Sequence, residues 1–435
     1  MKYTQTENRK QKTGNSSISF LYSLQKFGIK LGLRNMEELL EYSGNPQSKF
    51  PSIHIAGTNG KGSTAAMIAA ILTASGYRTG LYTSPHLVRF NERIRVNGVA
   101  IPERMLAKYT RYFMPVIKKT RATFFEATTA IAFQYFADQN VDIAVIETGL
   151  GGRHDATNVL TPLLSIITSI GFDHTEQLGK SLSSIAYEKG GIIKREIPCL
   201  TGVTLKEPLS AIQTIAREKS SLLLRANKIS AGQIKRDDLS GLEIDLKTDK
   251  CFYRNLRVSL AGNHQARNAM LAILAVEHLA ESHGFNNITI RSVRMGLKKV
   301  QFYTGFRGRL HVIKNHPLTI VDVAHNSDGI TTALSSLQRL ILNKPVVVFG
   351  VMADKEYTPM ITAIGKLARV VIAVQPNIAR ALESKNIIEI AQSLGVSSYD
   401  GKTVAEGIKL ASKLVHSDEA IVIIGSHFVA GEVIR

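Results

Sequence analysis

The sequence predicts an α/β fold with two domains, and three observations support that prediction. Short β-branched apolar runs alternate with helical segments along most of the 435 residues. A chain of this length exceeds what one hydrophobic core supports. The stretch at about 220–260 instead alternates polar and apolar residues, which is typical of antiparallel strands. We therefore expect helix-covered parallel sheets, with a small antiparallel insertion in the larger, N-terminal domain.

Seven apolar runs are expected to form the buried strands, because near-continuous apolar runs bounded by turn residues are typical of parallel sheets. In chain order they are SIHIAG, VDIAVIE, LSIITSI, LTIVDVA, PVVVFG, RVVIAV and AIVIIG. Helical stretches such as GSTAAMIAAILTASG and FEATTAIAFQYFADQ lie between them. This alternation predicts a parallel sheet in each domain.

The domain boundary is expected near residue 300, where a Gly- and aromatic-rich connection, QFYTGFRGR, follows the helical segments. We expect a disordered tail at 1–18, a larger domain at 19–298, a linker at 299–308 and a smaller Rossmann-like domain at 309–435. The tail has no apolar core of a signal peptide. The longest apolar runs are shorter than the roughly 20 residues of a membrane helix. Two cysteines without a Cys-x-x-Cys pair indicate a reducing compartment, so we expect a cytoplasmic protein.

The formal net charge of +19 raises the question of an acidic partner. Lysine and arginine are scattered, without the dense basic run that is typical of nucleic-acid binding. Attraction of polyanionic small substrates and a merely basic solvated surface both remain open. We expect small-molecule partners, no nucleic acid, no membrane, and a monomer.

The stretch GTNGKGST at 57–64 is typical of a phosphate-binding loop, although its spelling is unusual. It joins an expected strand to an expected helix. Its glycines permit positive φ angles and close approach to an anion, while the helix N-terminus and Lys61 add positive charge. The common pattern G-x-x-x-x-G-K-[ST] is not matched, because Ile55 replaces its first glycine and Gly62 follows the lysine. The residues expected to hold the phosphate are Thr58, Asn59, Gly60, Lys61, Gly62, Ser63 and Thr64.

Two strand ends have candidate metal ligands. Ser84 lies in the stretch 81–98, which follows a further presumed strand, and Glu147 ends the strand VDIAVIE. Ligand-binding residues gather at the carboxyl ends of parallel strands, and hydroxyl and carboxylate oxygens suit Mg²⁺. From the residues alone, a simple turn and a solvent-facing carboxylate remain alternatives.

Several motifs in a fixed order carry a family resemblance, among them GIKLGLRNMEELL, GTNGKGST, TSPHL, TFFEATT, ETGLGGRHDATN and IGFDHTEQLGK. With them the chain resembles the folylpolyglutamate synthase and dihydrofolate synthase family of the Mur ligase superfamily, from about residue 20 to the C-terminus. The resemblance implies a Mur-ligase-type P-loop ATPase domain and a Rossmann-like glutamate-ligase domain. It also implies that the loop holds the β- and γ-phosphates of ATP.

The resemblance implies two Mg²⁺ sites. Ser84 and Glu147 would bind the first ion, and His174 and Lys189 the second. Lys189 would be converted by CO₂ to a carbamate, which offers the anionic oxygens that an ammonium group lacks. The residues with implied catalytic roles are Lys61, Glu147, His174 and Lys189.

The resemblance also implies ligand contacts elsewhere. Nucleotide contacts are implied for Asn268, Arg309 and Asp322. Pterin contacts are implied for Leu31, Gly32, Leu33, Thr123, His154 and Asp155. At His154 the family usually has an aliphatic residue. The residues that match signatures of the glutamate site or the domain cleft are His325, Asn326, Lys355, Ser426 and His427.

The activity implied by the resemblance is ATP-dependent addition of L-glutamate to dihydropteroate, to a (tetrahydro)folyl-polyglutamate, or to both, through an acyl phosphate. A peptidoglycan Mur ligase is one alternative, which the motifs TSPHL and TFFEATT disfavour. A P-loop ATPase acting on nucleic acid is an alternative of another class. It would need a full Walker loop and a basic stripe.

Overall fold

A computed structural model of the chain describes residues 16–28, 30 and 32–434. These residues form three β-sheets, of eight, three and six strands. Helices pack on the two larger sheets, so the two-domain α/β fold predicted from the sequence is confirmed. All seven predicted strands are present.

The eight-stranded sheet belongs to the N-terminal domain. Its strands are β1 (Ser52–Ala56), β2 (Thr79–Tyr82), β3 (Ile94–Val96), β4 (Val99–Ala100), β5 (Ile143–Glu147), β6 (Leu164–Ile167), β7 (Cys199–Thr201) and β8 (Leu223–Arg225). They lie in the order β4-β3-β2-β5-β1-β6-β7-β8. Strands β2, β5, β1, β6, β7 and β8 pair in parallel, whereas β3 and β4 add an antiparallel edge. The carboxyl ends of β1, β2, β5 and β6 therefore meet at one side of the sheet.

Twelve helices of the described residues precede the second domain. They are α1 (16–23), α2 (Arg34–Tyr42), α3 (Lys61–Ala74), α4 (Glu103–Thr120), α5 (Phe124–Asp138), α6 (Thr175–Leu178), α7 (Leu182–Gly190), α8 (Lys206–Glu218), α9 (Ala226–Ile229), α10 (His264–Ser282), α11 (Ile290–Lys298) and α12 (Val300–Thr304). Short 3₁₀ turns lie at Leu24–Phe27, Pro46–Ser48, Phe90–Arg93 and Ala156–Val159. Among the residues the structure covers, no helix is both long and apolar enough to cross a bilayer.

Helix α3 is the central helix of the larger domain. It is apolar on all sides and almost wholly buried, as expected for a helix enclosed by other elements. It packs against α10, α11 and α12 on one side and against β2 and β5 on the other. The fit with α11 is close, because a Cβ at Gly296 would lie 2.6 Å from the Cα of Ile71. The C-terminal half of α3 is therefore tightly packed against α11.

The predicted antiparallel insertion is a three-stranded sheet. Its strands are β9 (Ser230–Asp238), β10 (Gly241–Thr248) and β11 (Phe252–Val258), with β10 in the middle. The predicted linker contains helix α12, which contacts α3. Residues 16–18, predicted to belong to the N-terminal tail, are helical, and residues 1–15 lie outside the described residues.

The C-terminal domain contains the six-stranded sheet. Its strands are β12 (His311–Asn315), β13 (Leu318–Val321), β14 (Val346–Phe349), β15 (Val370–Val374), β16 (Ser397–Lys402) and β17 (Ala420–Ile424). Its helices are α13 (Ser327–Leu340), α14 (Tyr357–Leu367), α15 (Ser384–Ser393), α16 (Val404–Leu414) and α17 (His427–Val433). The order is β12-β13-β17-β14-β15-β16, and all pairs except β12–β13 are parallel. The loops after β13 and β14 contact the loops after β1 and β6.

Candidate active site

The loop between β1 and α3 needs glycine at two positions. Gly60 precedes the helix with a φ of 87°, and Gly57 has a φ of 153°. A Cβ at Gly57 would lie 2.0 Å from Oγ1 of Thr168. A side chain at either position would strain the backbone, so glycine is what allows this turn.

The main-chain N–H groups of the loop divide into two sets. Thr58 N–H donates to the carbonyl of Ser169 at 2.8 Å, and Asn59 N–H donates to Oγ of Ser169 at 3.0 Å. These two groups are therefore committed to the protein itself. The N–H groups of residues 60–63 have no acceptor among the described residues. The main-chain groups available to an anion thus lie at the N-terminus of α3.

Lys61 and Asn268 both lie at this loop. The Lys61 ammonium donates to the carbonyl oxygens of Gly57 at 3.0 Å and Thr58 at 3.3 Å. Asn268 is on α10, and its Oδ1 would be 2.5 Å from a Cβ at Gly60. The structure thus brings together a phosphate-loop lysine and an amide that are 207 positions apart, at 61 and 268.

Glu147 and Ser84 also meet beside the loop. Glu147 ends β5 and is buried, and its Oε2 accepts a hydrogen bond from Ser84 N–H at 3.1 Å. Burial raises the pKa of Glu147, while Lys61, the Ser84 bond and Arg309 act in the opposite direction. The same Oε2 would lie 3.5 Å from a Cβ at Gly62. A carboxylate so close to the phosphate loop can share a cation with a bound phosphate.

Lys189 contacts the loop, and His174 lies near it, with its Nε2 3.4 Å from the Lys355 ammonium. Lys189 is 4% exposed, and its ammonium donates to the carbonyl of Gly57 at 3.0 Å. Burial and the nearby Lys61 lower the pKa of Lys189 to about 7. Burial likewise lowers the pKa of His174 to about 4. Both groups can therefore be neutral at physiological pH, the form in which an amine reacts with CO₂ and an imidazole binds a metal.

Arg309 and His427 complete a cavity that also contains Ser84 and Glu147. His427 begins α17, where burial and the neighbouring His325 and Arg309 lower its pKa well below the usual value. The cavity thus combines a buried carboxylate, a guanidinium group and a neutral imidazole. Such a set can bind an anionic group and a cation side by side.

Asp322 and Ser426 form hydrogen bonds with the main chain. The buried Asp322 carboxylate accepts from Leu310 N–H at 2.9 Å and from Ala324 N–H at 2.8 Å. Oγ of Ser426 accepts from Val429 N–H at 3.1 Å and so caps α17. Both side chains hold the backbone around the cavity.

The residues with implied pterin contacts lie in three places. Gly32 and Leu33 precede α2 and are partly buried, whereas Leu31 is outside the described residues. His154 is exposed. Both carboxylate oxygens of the buried Asp155 accept hydrogen bonds within its own segment, from the N–H groups of 149, 150 and 157. Asp155 therefore holds the turn after β5.

Thr123 caps helix α5. Its Oγ1 accepts from Glu126 N–H at 3.2 Å, and the Glu126 carboxylate accepts from Thr123 N–H at 2.6 Å. This is a capping box, in which each residue satisfies a free N–H group of the other.

Replacing Thr123 with alanine is expected to lower the free energy of unfolding by about 1 kcal/mol, because the first turn of α5 loses its acceptor. Thr123→Ser keeps the hydroxyl and serves as the matched control. Urea unfolding of both variants beside the wild type measures the difference. A Thr123→Ala variant with an unchanged free energy of unfolding but a raised KM for the implied pterin substrate would show that Thr123 contacts the substrate and does not act as a cap.

Two residues to which the sequence analysis assigned no role belong to this site. Ser169 holds the loop at Asn59, and Asp173 accepts a hydrogen bond from the Lys355 ammonium at 2.8 Å. Both follow β6, so the rule that ligand loops gather at the carboxyl ends of parallel strands could have indicated them. His325 and Asn326 approach Asp173 from the C-terminal domain.

The comparisons with known proteins agree with this geometry. Residues 55–276 match the Mur ligase middle domain, and residues 308–427 match the Mur ligase glutamate ligase domain. These two matched domains, which contain the eight-stranded and the six-stranded sheet, define a Mur ligase. The dihydrofolate synthase/folylpolyglutamate synthase of Bacillus subtilis is 35% identical over 424 residues, which cover 95% of this chain and 97% of that protein. The chain belongs to the folylpolyglutamate synthase and dihydrofolate synthase family.

Solved structures of the family have the same fold over nearly the whole chain. The Mycobacterium tuberculosis folylpolyglutamate synthase complexed with ADP and AMPPCP has a TM-score of 0.87 at 30% identity, covering 96% of this chain and 97% of that one. Escherichia coli FolC in complex with DHPP and ADP has a TM-score of 0.84 at 28% identity, covering 96% of both chains. The predicted family and fold are thus confirmed.

Proposed function

We propose that the protein is an ATP-dependent ligase that joins L-glutamate to dihydropteroate, to a (tetrahydro)folyl-polyglutamate, or to both. The observation that carries the proposal is that the N–H groups of residues 60–63, which find no acceptor within the described part of the chain, lie beside Lys61 and Glu147. They form a phosphate site with a carboxylate positioned for a cation, in a chain of the family whose relatives were solved with ADP and AMPPCP. We expect the protein to act as a monomer on small-molecule substrates.

Forming an amide from a carboxylate in water requires activation of the acid. ATP transfers its γ-phosphoryl group to the carboxylate, which releases ADP and forms an acyl phosphate. The amino group of glutamate then attacks the carbonyl carbon and loses a proton, and phosphate leaves. In this chain the N–H groups of 60–63 and Lys61 would stabilise the charge on the transferred phosphoryl group. Arg309 would approach the same group from the linker side of the cavity. Closure of the C-terminal domain would exclude water from the acyl phosphate.

The residues present fit the two implied Mg²⁺ ions. Mg²⁺ usually takes one or two carboxylates together with substrate phosphates and waters, and Ser84 with Glu147 meets that description. Among the described residues no group of three or more His, Cys, Asp or Glu could hold a metal by itself. At His174 a carbamate on Lys189 would supply anionic oxygens for a second ion. When bound, the ions would neutralise charge on the phosphates.

A panel of acceptors tests the proposal. ADP formation and product mass are measured with dihydropteroate plus glutamate, with tetrahydrofolate plus glutamate, and with single-stranded DNA. The proposal predicts a glutamate adduct with at least one of the first two. Stimulation by DNA alone would contradict it and would support the nucleic-acid ATPase.

A further inference from the structure

Asn326 lies where the two domains meet at the phosphate loop. It is 4% exposed and precedes α13, whose first turn it caps by accepting from Gly329 N–H at 2.7 Å. Its amide nitrogen donates to Oδ1 of Asn59 at 3.2 Å and to Oδ2 of Asp173 at 3.0 Å. The amide nitrogen of Asn59 donates back to Oδ1 of Asn326 at 3.4 Å. One side chain thus joins a helix of the C-terminal domain to two loops of the N-terminal domain.

The contacts leave only one orientation for the Asn326 amide. Both of its hydrogens have acceptors, and its oxygen accepts from Gly329 and Asn59. Rotating the group by 180° would place the oxygen against the Asp173 carboxylate and the NH₂ group against Gly329 N–H. A buried amide with all its hydrogen bonds satisfied holds its neighbours in one arrangement.

The contacts of Asn326 lead in one direction to the phosphate loop. The main-chain N–H of Asn59 is held by Ser169 Oγ, and its carbonyl accepts from Thr168 Oγ1 at 2.7 Å. The Asn59 main chain is therefore fixed immediately before the N–H groups of 60–63, and a shift of the Asn59 side chain would be transmitted to those groups. In the other direction, Asp173 binds the Lys355 ammonium at 2.8 Å, and both side chains are nearly buried.

We propose that Asn326 is a positioning residue that couples the phosphate loop to the C-terminal domain. Through Asn59 it fixes the loop relative to α13, and through Asp173 it fixes Lys355 of the same domain. Domain closure and the geometry of the phosphate site are thereby joined at one side chain. The inference rests on the proposed function for its kinetic test only.

Asn326→Ser is the decisive variant. Serine is also a good N-cap, so α13 keeps its cap, but its side chain is too short to bind Asn59 and Asp173 as well. We expect kcat to fall about tenfold, while the dissociation constant for ADP stays within a factor of about two. Asn326→Asp keeps the cap as well but places a carboxylate against Asp173, so its kcat should fall further.

Arg339→Gln is the matched control, because it removes a different contact between the domains, an ion pair. Arg339 on α13 lies 3.4 Å from Asp237 on β9, away from the loop. This variant should keep the wild-type kcat. An equal loss of kcat in Arg339→Gln, or a kcat in Asn326→Ser within a factor of about two of the wild type, would overturn the inference.

Hydrogen exchange of the nucleotide-free proteins tests the coupling without any ligation. Asn326→Ser should accelerate exchange at 57–60 and 169–173, whereas Arg339→Gln should accelerate it only near 235–239. Unchanged exchange at 57–60 in Asn326→Ser would contradict the inference even if the protein is a ligase. Conversely, accelerated exchange in a protein that ligates none of the acceptors would contradict the proposed function alone.

Discussion

Replacing Lys61 with methionine is expected to lower kcat by about 10²–10³-fold, which is typical for the loss of one preorganised charged donor at a reacting group. Methionine keeps most of the side-chain volume, so the change tests the charge. The Lys61 ammonium is held at 3.0 Å and 3.3 Å from two loop carbonyls, and therefore lies at the N-terminus of α3 before any phosphate arrives. The measurement is the initial rate of ADP formation with the acceptor that the panel identifies.

Lys194→Met is the control for Lys61→Met. Lys194 also donates to a main-chain carbonyl, that of Asn158 at 2.7 Å, and it is also partly buried. It does not contact the phosphate loop, so its removal should leave kcat within a factor of about two of the wild type. A Lys61→Met variant that keeps the wild-type kcat would exclude the loop as the phosphate site.

The buried strands and the phosphate loop could be predicted because their signals are local. A parallel strand such as β5 is apolar along its length, and a loop such as 57–64 has its glycines and lysine within eight positions. Strand β16, with the sequence SSYDGK, was missed because it is an exposed edge strand with no apolar run. The segment is a strand because it pairs with β15, and such pairing cannot be deduced from a local sequence pattern.

The candidate site was predictable in part for the same reason. The capping box at Thr123 has the local spelling T-x-x-E, so the sequence could have indicated its structural role beside the implied pterin contact. The amide pair of Asn59 and Asn326 joins residues separated by 267 positions. Its existence depends on how the two domains face each other, which no local pattern contains.

Lys189→Ala is expected to lower kcat by about 10²-fold or more, because the second proposed cation loses its anionic ligand. The reason lies in the surroundings of Lys189. Its amine is enclosed beside the loop at 3.0 Å from the Gly57 carbonyl, and burial lowers its pKa to about 7. A substantial fraction of the amine is then neutral and able to attack CO₂, forming a C–N bond and releasing one proton.

Carbon-13 nuclear magnetic resonance with labelled bicarbonate measures the carbamate directly, and Lys189→Ala supplies the blank. The wild-type protein should show one carbamate signal that is absent from the variant. The activity of the wild type should fall when CO₂ is removed and return when bicarbonate is added. A small carboxylate such as formate should restore part of the activity of Lys189→Ala, since it can enter the space left by the side chain and supply anionic oxygen. Full activity without CO₂ would contradict the carbamate. Lys189 would then act as an amine and could not supply an anionic ligand to the second cation.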